Sequence, residues 1–298
     1  MLQSPKITQR ITVLSVAHSP DADDIFMYYA IALGWVNCGD LRFENVAKDI
    51  QTLNEETIGG IYDISAISFG LYPHIRNDYA LLKTAVSFGQ GYGPKLVKLK
   101  NRRLSKKFKV ALSGAHTTNA LLFRIAYPNA RIVYKNFLDI EKAVIEGEVD
   151  AGVLIHESIL GYDESLEVER ELWDIWLELT GSRELPLPLG GMAIRRSLPL
   201  LKAIECERIL TDAVRIAHNN KKILSKMLLE RGLFRVDAKR LETYLNMYAN
   251  ENSITMNDTQ LEAIDLLFDI GYRNKIYDAP LHVNDFLIPT HYKQIRFS

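Results

Sequence analysis

Short apolar runs alternate with amphipathic stretches from the start of the chain. Residues 11–17, 41–46 and 62–67, the last ending on Ser68, are rich in aliphatic and β-branched side chains. Between them, 23–33 and 50–57 carry apolar residues at helical spacing, the first opening on an acidic cluster. Short apolar runs bounded by polar residues predict buried strands, and the longer period predicts helices. A second set repeats the order: strands at 109–113, 131–134 and 150–155, helices at 117–126 and 138–146. Strand-like runs also occur at 95–99 and 192–195. The tail from 198 to about 272 is helical by period, with Ile209, Ala213, Ile216 and Ala217 on one stripe. Strands and helices in alternation predict an α/β fold with mainly parallel sheets.

Two glycine-rich passages interrupt this pattern, FGQGYGP at 88–94 and LPLPLGG at 185–191. They bracket a segment about one small domain long, and a chain that leaves one lobe and returns at an adjacent strand makes a hinge. The predicted layout is two Rossmann-like lobes joined by a two-strand hinge. Residues 1–98 and 192–298 form one lobe, residues 99–191 the other, and a cleft lies between them.

Composition narrows the function. Lys and Arg total 36 against 37 Asp and Glu, so no broad positive field favours nucleic acid or anionic lipid, and a small-molecule partner is expected. The two cysteines, Cys38 and Cys206, form no CxxC; reduced thiols and a cytoplasmic location are expected. The N-terminal apolar run is too short and too interrupted for a signal peptide or a membrane span.

In α/β sheets ligands sit beyond the carboxyl ends of the strands, and four such ends are polar here. HSPDADD at 18–24 reads as a metal or phosphoryl site built on Asp21 and Asp23, or as a helix start capped by Ser19 or Asp21. Ser68 either binds a ligand or caps a turn. In SGAHTTN at 113–119, Gly114 permits a tight turn and a helix begins. Its free N–H groups with Thr117 and Thr118 suit a carboxylate, although a threonine there also caps its own helix. Finally, an apolar strand delivers His156 and Glu157. Leu160 stands where a zinc-protease HExxH motif needs its second histidine, so this is no zinc helix. His156 is either a structural imidazole or a general base, and Glu157 either orients it or is exposed. No dinucleotide fingerprint, phosphate loop or serine nucleophile elbow is present.

Several segments together resemble the 1,4-dihydroxy-6-naphthoate synthase family of the futalosine route to menaquinone. They are Ser19-Pro20 with Asp24 and Phe26, GYGP at 91–94, HTT at 116–118, GEVDAGVLIHES at 147–158, LPLG at 187–190 and YLN at 244–246. The resemblance implies a type II periplasmic-binding-protein-like fold and a reaction opening cyclic dehypoxanthine futalosine without cofactor or metal. It also implies a proton acceptor at His156, with substrate contacts at Ala66, Ile67, Ser68, Thr117 and Thr118. The chain departs from the family pattern at 21–25 and at Ala66. Within the same fold, a solute-binding protein and a chorismate dehydratase are the competing functions.

Overall fold

The structure, a computed structural model, describes residues 11–291. The leading residues 1–10, part of the argument against export, lie outside the described residues.

The chain builds two mixed sheets. In the first half lie β1 (Thr12–His18), α1 (Ala22–Ala32), β2 (Leu41–Ala47), α2 (Ile50–Ile58), β3 (Ile64–Ser68), α3 (Tyr72–Ile75), β4 (Tyr79–Leu81) and β5 (Ser87–Gly89). The middle adds β6 (Lys95–Leu99), β7 (Lys109–Leu112), α4 (Thr118–Ala126), β8 (Arg131–Tyr134), α5 (Phe137–Ile145), β9 (Ala151–Leu154), β10 (Leu166–Glu171) and α6 (Leu172–Leu179). After β11 (Leu187–Arg195) the chain is helical: α7 (Leu200–Asn219), α8 (Lys221–Glu230), α9 (Ala238–Tyr248) and α10 (Asp258–Arg273). One sheet runs β2-β1-β3-β11-β4 with β5 beside β11; the other runs β10-β6-β9-β7-β8.

Both sheets share a plan. Three parallel strands, β2-β1-β3 in one and β8-β7-β9 in the other, meet an antiparallel neighbour, β11 or β6. The sheets are therefore mixed rather than mainly parallel, because β6 and β11 are the strands by which the chain enters the second sheet and returns to the first. This also moves the expected lobe boundaries. β6, assigned on sequence to the first lobe, pairs with β9 and β10, so the crossing lies between Gly89 and Lys95. The return is complete by Leu187, which already pairs with Gly89 in the first sheet, ahead of the expected 192.

Packing explains the firmness of the return. Trp176 is fully buried, and its indole N–H donates to the Leu185 carbonyl at 2.8 Å, tying α6 to the approach to β11. β3 is buried along its whole length, which forces its two serines to find partners: Ser65 Oγ accepts from Thr57, and Ser68 is engaged by Asn54 of α2. Among the described residues no helix is long and apolar enough to cross a membrane.

Candidate functional site

The carboxyl ends of β1, β3, β7 and β9 open onto one cavity enclosing about 730 Å³, part of it open to solvent. Such a volume suits a small-molecule ligand. It brings together every residue to which the resemblance gave a role: Ala66, Ile67 and Ser68, Thr117 and Thr118, and His156. Asp21, Asp23 and Asp24 join from the start of α1, Ser87 from β5, and Tyr244 and Tyr248 from α9.

His156 begins a 3-10 turn after β9 with φ of +55°, a left-handed conformation unusual for a histidine. The turn aims neighbouring side chains apart. The imidazole Nδ1 meets Asp21 Oδ2, and the edge of the ring packs on Phe137 with centroids 4.8 Å apart. Its Nε2 is buried and has no partner among the described residues. Burial opposes the imidazolium, but the charge and hydrogen bond of Asp21, with help from Glu157 and Asp23, hold the pKa up to about 9. Burial likewise opposes the Asp21 carboxylate, and the His156 charge outweighs it to keep the Asp21 pKa below its usual value.

Glu157 is not exposed and does not orient the imidazole, as adjacency in sequence had allowed. It is buried, and its Oε1 accepts from the Ala22 amide at 2.9 Å, capping α1 from the other sheet. Asp21 occupies the N-cap position of α1 but makes no capping bond, because its carboxylate is taken by His156. The remaining acids have separate partners. Asp24 Oδ2 accepts from the Ser19 amide at 2.8 Å. Asp23 accepts from Ser87 Oγ at 2.6 Å and from Tyr244 at 3.1 Å. Burial, then the nearby Asp21 charge, raises the Asp23 pKa to about 7. Among the described residues no three His, Cys, Asp or Glu side chains are grouped to hold a metal ion.

The helix-start site divides its two threonines. Thr117 caps α4, accepting from the Ala120 amide at 3.1 Å and donating to the Gly114 carbonyl at 3.0 Å. Thr118 joins the two sheets: its hydroxyl accepts from the Gly70 amide at 3.1 Å and donates to the Leu189 carbonyl at 3.2 Å. Gly114 is needed for a close approach rather than for a turn, since a Cβ there would stand 2.0 Å from Gln51 Oε1, which itself accepts from the Ala115 amide. Ser113 Oγ and Asn119 Oδ1, both lining the cavity, are buried with no partner among the described residues. Unpaired buried polar atoms are costly, so together with His156 Nε2 they mark where a polar ligand would bind.

Sequence reasoning missed Asp21 as the partner of His156, and Ser87, Tyr244 and Tyr248 as cavity walls. The YLN run at 244–246 drew attention only as part of a resemblance, since a tyrosine on an amphipathic helix reads as core.

Comparison with known proteins agrees with this architecture. A 1,4-dihydroxy-6-naphthoate synthase of Thermus thermophilus is 28% identical over 263 residues, 86% of this chain and 92% of that one. A solved protein of Archaeoglobus fulgidus is 32% identical, covering 91% of this chain and 99% of its own, with a TM-score of 0.81. The alkanesulfonate-binding protein of Xanthomonas axonopodis pv. citri superposes with a TM-score of 0.68 at 12% identity, over 93% of this chain and 98% of that one, which shows the periplasmic-binding-protein-like fold alone. The menaquinone biosynthesis family model matches residues 14–273, and over that span, which holds both sheets and every wall of the cavity, this chain belongs to the menaquinone biosynthesis family.

Proposed function

We propose that the chain is a carbon–carbon lyase that opens cyclic dehypoxanthine futalosine to 1,4-dihydroxy-6-naphthoate and a sugar-derived fragment, with His156 as general base and no cofactor. The observation that carries this reading is the His156–Asp21 pair on the wall of a cavity whose lining is mostly apolar groups and hydroxyls, with Asp23, Asp24 and Asn119 among them. Asp21 fixes the ring through Nδ1 and so leaves Nε2 as the atom that takes the substrate proton. Aromatisation of the bicyclic product supplies driving force, so the protein has mainly to accept a proton and hold a carboxylate. The start of α4, with its partial positive charge and the unpaired Ser113 hydroxyl as a donor, is the carboxylate holder, and the end of β3 supplies the facing wall.

Incubating the protein with cyclic dehypoxanthine futalosine, with chelator and without added cofactor, tests the proposal. Growth of naphthoate absorbance is the expected result. Tight binding of aromatic carboxylates with no turnover would replace the lyase by a solute-binding function.

A further inference from the structure

Splitting one molecule into two by removing a proton leaves a second requirement. When the carbon–carbon bond breaks, its electron pair goes to the departing fragment, which must gain a proton. The geometry points to Asp23 as the group that gives it, working opposite His156. This deepens the lyase reading and rests on it.

Four acidic side chains gather around His156, and their partners distinguish them. Asp21 is committed to the imidazole. Glu157 has its pKa raised by burial and by the Asp21 charge, but its Oε1 accepts from the Ala22 amide, a donor that cannot become an acceptor, and Arg235 lies 3.8 Å away. Asp24 is held by the Ser19 amide, a donor that cannot become an acceptor. Asp23 differs: both of its oxygens meet hydroxyls, Ser87 on one side and Tyr244 on the other. A hydroxyl donates to a carboxylate and accepts from a carboxylic acid, so this pair of contacts serves either protonation state without leaving a buried group unpaired. Asp23 is 4% exposed and lines the same cavity as His156.

The proton count closes. His156 Nε2 takes a proton from the substrate; the electrons of that bond enter the forming aromatic ring; the ring–sugar carbon bond breaks and its pair passes to the sugar carbon. Asp23 then protonates that carbon and is left as carboxylate, and exchange with water resets both groups. No oxidant or co-reactant is needed. The electrostatic surroundings are compatible with this, although burial and neighbouring charges raise the Asp24 and Glu157 pKa values as well, so it is the two hydroxyl contacts that single out Asp23. Burial, the Asp21 charge and the Glu157 charge all favour a protonated Asp23 against the Ser87 hydrogen bond and the His156 charge; Asp24, Tyr244 and Tyr248 complete its ionisable surroundings.

A productive site then needs neutral His156 and protonated Asp23. With the first titrating at about 9 and the second at about 7, the wild-type kcat/KM should rise to near pH 7, stay level, and fall above about 9. Asp23→Asn keeps the shape and the hydroxyl contacts but cannot give a proton. It should lower kcat by about 10²–10⁴-fold, shift the rising limb towards 9, and abolish the alkaline fall. Infrared titration of the ligand-free protein supplies the independent readout: a protonated carboxyl band that disappears near pH 7 in the wild type and is missing in Asp23→Asn. Asp24→Asn should keep both the band and the alkaline fall. Absence of the band in the wild type, or an alkaline fall retained in Asp23→Asn, overturns the proposal while leaving the lyase reading intact. No turnover by the wild type overturns the lyase reading and this proposal with it.

Discussion

Asp21 and His156 come from loops on opposite sheets, and the Oδ2–Nδ1 contact between them is the electrostatic centre of the cavity. Each partner makes the other's charge tolerable in a buried setting. The imidazolium is favoured by Asp21 against burial, and the carboxylate by His156 against burial. Removing either partner therefore does more than delete one bond, since it strands a charge.

Asp21→Asn follows from this. The folded His156 pKa of about 9 lies above the ordinary value near 6.5, so its stabilising share is complete below about 6.5 and is lost as pH rises through 9. The Asp21 pKa is depressed, so its share is present above its ordinary value and is lost as pH falls through the folded one. Asp21→Asn should consequently destabilise by about 3 kcal/mol near neutrality, and by less at either extreme. The same change lowers the pH at which His156 releases its proton, moving the kcat/KM profile to lower pH. Denaturant melts across pH and one rate profile check both; a stability difference independent of pH would remove the ion pair from the account.

How far this was legible on the sequence depended on whether a signal was local. The strands at 12–18, 41–47 and 109–112 were marked by short-period apolar runs, and the strand ends led directly to Ser68, Thr118 and His156. β5 has three residues, and β10 is an edge strand, LEVERE, whose charged side chains hide its alternation. The lobe boundary went astray because the alternation of 95–99 is the same whichever sheet it joins. Glu157 looked like the partner of His156 because it is next in sequence. The positive φ at His156 sends the two side chains to different places, and nothing in a single sequence couples position 156 to position 21.

Thr118 carries a prediction about the joint between the sheets. Its hydroxyl has both roles filled by backbone groups, Gly70 N–H and Leu189 C=O. Thr118→Val keeps the shape and strands both partners, so about 1–3 kcal/mol of stability should go, together with a several-fold rise in KM as α4 shifts. Small-angle scattering should show a more open molecule, closed again by a carboxylate ligand, if the two sheets move as hinged lobes. Unchanged melting would mean that water replaces both bonds.

Gly70 tests the same joint from the other side. A Cβ at this position would lie 3.0 Å from Thr118 Cα and N, and 3.1 Å from the Thr117 carbonyl carbon. Those are backbone atoms at a helix start and cannot rotate aside. Gly70→Ala should cost about 1–3 kcal/mol by overpacking, and should raise KM more than it lowers kcat. Thermal melting with steady-state kinetics decides it, and a variant with wild-type KM would separate the joint from the substrate site.

The proposed chemistry rests on His156, and the backbone dictates which substitution is informative. At φ of +55° most side chains are strained, but asparagine adopts this region readily. His156→Asn therefore keeps the turn, and its amide is placed to donate to Asp21, so the buried carboxylate keeps a hydrogen bond while losing the imidazolium charge. What the variant lacks is a nitrogen that takes a proton. If Nε2 is the base, the variant should fold, bind aromatic carboxylates within a few-fold of wild type, and lose about 10²–10⁴-fold in kcat. Its remaining activity should also lack the wild-type dependence on a group titrating at about 9. Circular dichroism, ligand titration and a pH series on the purified variant supply the three readings. Near-wild-type turnover in a folded His156→Asn protein would transfer the proton abstraction to another wall of the cavity, with Asp23 as the first residue to examine.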